Sequence, residues 1–162
     1  MVLIYVSAIV AANLLVAWLG PWFSPVIALF LIGLDLSLRD ALHERWQGPL
    51  FWPRMLGMVL TASAISYLLN PATGRIAVAS LVAFVASAMA DTVVYQLLVR
   101  RGWFMKANGS NVAGAAVDSL VFPTLAFGTF MPAVVLLQFA AKVGGGAFWA
   151  WVIARARGPS LR

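Results

Sequence analysis

The stretch VLIYVSAIVAANLLVAWL, residues 2–19, carries no charged side chain and stops at Gly20-Pro21. A helix rises about 1.5 Å per residue, so roughly 20 residues cross the ~30 Å hydrocarbon core of a bilayer. At 18 residues this run falls within the usual range of about 17–25 for a span, and a Gly-Pro pair ends it. Working outward, five more apolar runs follow, giving spans near 2–19, 23–40, 54–70, 76–99, 108–128 and 131–154. Each boundary has a breaker. Pro25 falls in the first turn of the second run, and Gln47-Gly48-Pro49 and Pro53 precede the third. Asn70-Pro71-Ala72-Thr73-Gly74-Arg75 separates the third from the fourth, Arg100-Arg101-Gly102 ends the fourth, and Gly128 to Pro132 divides the last two. Backbone groups in lipid must be satisfied within their own segment, and no barrel-type alternation is present, so these runs are helices. The fold expected is an all-α integral membrane protein, one six-helix transmembrane domain over 1–162.

Composition supports this. Of 162 residues, 63% are apolar and 10% charged, with a mean hydropathy of +0.95; soluble domains run near 45–50% and about 25%. The net charge of +6 is not a nucleic-acid footprint, because the bases sit at the ends of apolar runs. Cysteine is absent, which excludes disulfide and thiolate chemistry. No Lys or Arg precedes the first run, so that helix is expected to be retained rather than cleaved.

The bases also orient the chain. With six spans, one side holds Arg39, Arg45, Arg54, Arg100, Arg101, Lys106, Arg155, Arg157 and Arg162, and the other holds Arg75. That bias predicts both termini in the cytoplasm, in a cell inner membrane. Aromatic belts agree, with Trp18, Trp22 and Tyr67 at the outer ends and Trp46, Trp52, Trp103 and Trp151 at the inner ends.

The informative residues are polar ones at membrane depth, where a charge costs about 2.5–3.5 kcal/mol on insertion scales. Lys142 in the sixth helix and Asp118 in the fifth both lie about 15 Å from their helix ends, near the midplane. They are placed to pair, either as a structural ion pair or as a pair facing a substrate cavity. Gln138 shares the Lys142 face. Asn111, Gly114, Asp118 and Phe122 form one stripe of the fifth helix, and Asn13 lies at the same depth in the first. An isolated Asn or Gln also serves as an interhelical hydrogen bond. Asp35 precedes Arg39 by one turn, consistent with a local ion pair, and Asp91 stands one turn before Tyr95. His43 and Glu44 read as surface residues of a basic loop, and the sequon Asn108-Gly109-Ser110 faces the cytoplasm. Ser7, Ala8, Ala11 and Ala12, and Ala62 with Ser66, make small faces for close helix contact; Gly144-Gly145-Gly146 suits either packing or flexure. One histidine cannot supply a serine triad at membrane depth or a clustered metal site, and no phosphate-cradling loop is present. Binding and passage remain rather than catalysis, with no cofactor called for.

Two segments resemble a known family. Asp91-Thr92-Val93-Val94-Tyr95 is followed by Lys106-Ala107-Asn108-Gly109-Ser110-Asn111-Val112-Ala113-Gly114. Then come Asp118-Ser119-Leu120-Val121-Phe122 and Ala126-Phe127-Gly128. This pattern resembles the queuosine precursor transporters, also called the vitamin uptake transporter family. The segment Arg39-Asp40-Ala41-Leu42-His43-Glu44-Arg45 matches less closely and lacks the family's Tyr-Gly with its basic run. The resemblance implies six helices akin to energy-coupling-factor substrate-binding subunits, and import of a 7-deazaguanine precursor of queuosine. For such a ligand Asp118 would accept the N1–H and 2-amino donors, Gln138 or Asn13 would serve the O6/N7 edge, and Phe122 or Phe127 would stack on the ring. Asn111, Lys142, Asp35 and Asp91 complete the candidate site. The expected partners are a small-molecule substrate and the lipid bilayer, with no nucleic acid. A solitary carrier, a homo-oligomer and a substrate-capture subunit docked on an ATPase coupling module through Ala8-x-x-x-Ala12 all fit this pattern. So does a non-transporting membrane assembly protein.

Overall fold

The computed structural model describes residues 1–46, 48–98, 100 and 103–156, without the side chains of Asp40, His43, Glu44, Ala150, Ala154, Ala156 and residues 103–108. The readings made on the His43, Glu44, Lys106 and Asn108 side chains, and on Gln47, Arg101, Gly102, Arg157 and Arg162, lie outside the described residues.

Six long helices make up the described chain, with no strand among the described residues. Helix α1 is Val2–Leu19. Helix α2 runs without interruption through Ser24–Ile27, a π-helical stretch Ala28–Ile32 and Gly33–Arg45. Helices α3 Phe51–Leu69, α4 Gly74–Leu97, α5 Trp103–Phe127 and α6 Pro132–Ala156 follow. Five segments are long and apolar enough to cross a membrane: Val2–Leu19, Pro21–Arg39, Pro71–Leu97, Gly109–Phe127 and Pro132–Ile153. Helix α3 is of similar length, but its first turn holds Trp52, Pro53 and Arg54 and is correspondingly less apolar. The protein is an all-α membrane protein.

Local chemistry sets the helix ends. Gly20 closes α1 with φ 78°, a left-handed conformation that glycine adopts without cost, and Pro21 restarts the chain. Asn70 Oδ1 accepts from the Ala72 amide at 3.0 Å, and the Thr73 hydroxyl donates to the Asn70 carbonyl at 2.7 Å, folding the turn into α4. At the far end of α5, Gly128 has φ 73°, and Arg75 Nε donates to the Leu125 carbonyl at 2.9 Å. A cation there meets the unpaired carbonyls and the negative end of the helix dipole. Two helices extend past the apolar runs that announced them. Helix α2 continues to Arg45, and α5 already begins at Trp103, because the helix carries on through polar residues where it leaves the bilayer core.

Packing follows the small residues. Helices α4 and α5 contact each other along most of their length, and α1 lies against α3 and α2. Ala8, Ala12, Ala62 and Ser66 are all buried, so Ala8 and Ala12 pack inside the bundle, while Ser7 on the same small face is exposed. The triple glycine also resolves toward packing. A Cβ on Gly145 would stand 2.1 Å from the Leu29 carbonyl oxygen, and one on Gly33 would stand 2.6 Å from the Gly145 carbonyl carbon. Helix α6 passes unbroken through all three glycines. Leu29 belongs to the π-helical stretch, where widening the helix swings a carbonyl outward, and Gly145 makes room for it.

The outer surface is apolar and the interior holds polar groups. Leu3, Trp18, Leu68 and Leu97 are all more than three-quarters exposed, whereas Asn13, Ser24, Ser66, Gln138 and Lys142 are buried. In water this distribution would be costly, because exposed apolar patches of this extent associate. In lipid it is the natural one.

Candidate functional site

Lys142 sits mid-way along α6 with only 2% of its surface exposed. Its ammonium pairs with Asp118 Oδ2 on α5 and donates to Gln138 Oε1, one turn earlier on its own helix, at 3.1 Å. Gln138 Nε2 in turn donates to Ser24 Oγ at 2.8 Å, and Ser24 donates to the Pro21 carbonyl at 2.6 Å. One polar chain therefore runs from α5 through α6 to the start of α2. A buried charge needs a partner and further hydrogen bonds to be tolerated, and this chain supplies both. Lys142 Nζ also lies 6.0 Å from the Phe122 ring centroid, and Phe127 meets Phe122 edge-on at 6.4 Å. Pro123 has no amide hydrogen to give the Ser119 carbonyl, so α5 lacks one bond of its ladder immediately after Asp118.

These groups face a cavity lined by residues of all six helices. About 70 Å³ of it is open to the centre of a water molecule; one water needs about 10–15 Å³ on that measure, so there is room for several waters or a small planar molecule. Asp118, Phe122, Gln138 and Lys142 line one wall, and Tyr5, Asp35 and Arg39 line the end nearer the N-terminus of α1. Between these polar groups the lining is apolar, including Ile9, Val16, Ile27 and Phe84. Apolar walls with a few placed polar groups are the usual make-up of small-molecule sites.

The chain matches the family described as "Putative vitamin uptake transporter" over residues 2–156. The chain belongs to the vitamin uptake transporter family. No curated protein and no solved structure matches it.

In this family member the eight candidate residues fall into three groups. Asp118, Gln138, Lys142, Phe122, Asp35 and Asn13 line the central cavity. Asn13 is engaged there, donating to Ser66 Oγ at 3.2 Å and accepting from Ser80 Oγ at 2.8 Å, so it ties α1 to α3 and α4. Asn111 lies outside the cavity, exposed on an adjoining recess that also touches Arg39 and Lys142. Asp91 is outside as well, on α4, with its Cβ 3.6 Å from the position a Cβ on Gly114 would take. Its buried Oδ1 accepts no hydrogen bond among the described residues. Two contributors were not singled out in the sequence. Ser24 looks like a turn residue between Pro21 and Pro25, and Tyr5 looks like one more member of an apolar run. A phenol one turn from the end of a membrane helix usually marks the interface, which concealed that this one points into the bundle.

Proposed function

We propose that the protein imports a 7-deazaguanine precursor of queuosine, working as a multi-pass inner-membrane carrier with both termini in the cytoplasm. The observation that carries this reading is the carboxylate of Asp118 held beside the ammonium of Lys142 at the cavity wall. A guanine-type ring presents two donors, N2–H and N1–H, and then an acceptor, O6, along one edge. Each carboxylate oxygen has two lone pairs, and an ammonium has three donors. Asp118 therefore retains acceptor capacity beside Lys142, and Lys142 retains one donor after serving Asp118 and Gln138. Acceptors followed by a donor complement that edge, whereas an adenine-type edge would leave buried groups unpaired. Phe122, beside the pair, suits stacking on the ring face.

The test is uptake in a strain unable to make the precursor, read as queuosine in its tRNA. Restored modification with a 7-deazaguanine, weak competition by guanine and none by adenine is the expected result. A correctly inserted protein that restores no modification with any 7-deazaguanine would refute the reading.

A further inference from the structure

A second recess lies against the central cavity, toward the end of the bundle where α5 begins, and about 220 Å³ of it is open to the centre of a water molecule. Leu36, Arg39, Ala115 and Lys142 line both spaces, so these four side chains form the partition between them. The recess is polar where a lipid-filled groove would be apolar. Ser37, Arg39, Asn111 and Lys142 all contribute to its lining, and Asn111 is exposed within the apolar segment Gly109–Phe127. An amide exposed at membrane depth is costly in hydrocarbon and needs water. Asn111 precedes Asp118 by seven residues, about 10 Å along α5, and Lys142, the partner of Asp118, lines the recess as well. Water in the recess therefore extends from the level of Asn111 to that of the ion pair.

We propose that this recess is the water-filled inner mouth of the transport path, and that the ligand leaves the central cavity through the partition, between α2 and α5. The inference rests on the reading of the protein as a carrier and not on the identity of its cargo. Packing says where the bundle can part. Helix α2 is held to α6 at backbone distance, with Gly145 against Leu29 and with Ser37 Oγ donating to the Gly146 carbonyl at 3.0 Å. Helices α4 and α5 lie together along most of their length, whereas α2 and α5 make at most slight contact. Two packed pairs thus face each other across a seam, and the recess lies in it. At the far end of that seam α5 and α6 are joined by the short turn 128–131. The pairs can therefore part where the recess lies while staying tied at the other end, a hinge motion of one packed unit against another. The Asp118–Lys142 ion pair spans the seam, so it is the contact that such an opening must break.

The chain has no cysteine, so single cysteines report water without background. A thiol reacts with a maleimide as its thiolate, which forms in water and not in hydrocarbon. The probe is a charged, membrane-impermeant maleimide, applied to inverted and to right-side-out vesicles carrying the full chain. Asn111→Cys and Val143→Cys place the thiol in the recess, the second beside Lys142. Met89→Cys is the control: Met89 is exposed and lies eight residues from the end of α4, as Asn111 lies eight from the start of α5. Both recess cysteines should label in inverted vesicles, and Met89→Cys should stay unlabelled. Ala147→Trp puts an indole into the recess from an exposed position and should abolish uptake at native levels of folded, inserted protein, whereas Met89→Trp should not. Unlabelled recess cysteines in a folded protein, labelling from the external face alone, equal labelling of Met89→Cys, or undiminished uptake by Ala147→Trp would each overturn the inference. Labelling as expected, with a native protein that restores no modification from any 7-deazaguanine, would refute the cargo and leave the mouth standing.

Discussion

Asp118 and Lys142 pair across the α5–α6 interface, but burial is uneven: the lysine is 2% exposed and the aspartate 23%. The two halves of the pair therefore cost different amounts to strand. An ammonium left without its carboxylate would stay enclosed, with only the Gln138 carbonyl oxygen for company. A carboxylate left without its ammonium still borders the cavity, where water can reach it.

From that asymmetry, Asp118→Asn should destabilise the purified protein by about 3 kcal/mol, near the lower end for a broken buried pair, and Lys142→Met by distinctly less. The double variant should recover most of the thermal stability lost in Asp118→Asn. Uptake separates structure from recognition: it should be lost in Asp118→Asn and remain lost in the double variant. Full uptake by the double variant would remove the pair from the site.

Asn13 makes the opposite prediction. Its amide is engaged by Ser66 and Ser80 on two other helices, so its first duty is to hold the bundle. Asn13→Leu should cost about 1 kcal/mol, typical of interhelical side-chain hydrogen bonds in membranes. Uptake per correctly folded molecule should stay near native. Stability read by thermal denaturation in detergent, beside uptake normalised to folded protein, separates the two effects. A normal melting temperature with abolished uptake would place Asn13 among the ligand contacts instead.

How much of this was legible beforehand depended on whether the signal was local. Helices announced themselves, because length, apolarity and breakers such as Gly20-Pro21 and Asn70-Pro71 act within one segment. The depth of Asp118 and Lys142 was legible for the same reason, being a count along each helix. Which way a side chain points around a helix depends on its neighbours, and there the sequence spoke less clearly. Asn111 shares a stripe with Asp118 but lies two turns nearer the start of α5, where the cavity has given way to an adjoining recess. The π-helical stretch at Ala28–Ile32 has no composition of its own; it answers to Gly145 on a helix more than a hundred residues later.

That contact yields a sharp contrast within one motif. A methyl group on Gly145 would strike the Leu29 backbone oxygen, whereas one on Gly144 would meet nothing within 4 Å. Gly145→Ala should therefore force α2 and α6 apart and sharply reduce the yield of folded protein. Gly144→Ala should be tolerated, or stabilising by up to about 1 kcal/mol through helix propensity. Yield of monodisperse protein in detergent reads both. If Gly145→Ala were as well behaved as Gly144→Ala, the close approach of α2 and α6 would be wrong.

The last prediction concerns how the chain is threaded. The positive-inside bias acts through bases in short loops near span ends, and a six-span threading would put all but one of the bases outside the spans on the side of the termini. The exception, Arg75, is committed elsewhere: it hydrogen-bonds the Leu125 carbonyl, and its guanidinium occupies the space beside Gly128. It acts as a cap for α5. Reporter fusions after Gly102 and after Arg157 should therefore read cytoplasmic, and one after Thr73 should read external. Arg75→Gln should leave all three unchanged while lowering thermal stability by about 1 kcal/mol, the scale of a helix-end charge and its hydrogen bond. A C-terminus on the external side would require an odd number of crossings. Since α3 is the one of the six helices without a segment long and apolar enough to cross a membrane, it would then be the one lying outside the bilayer core.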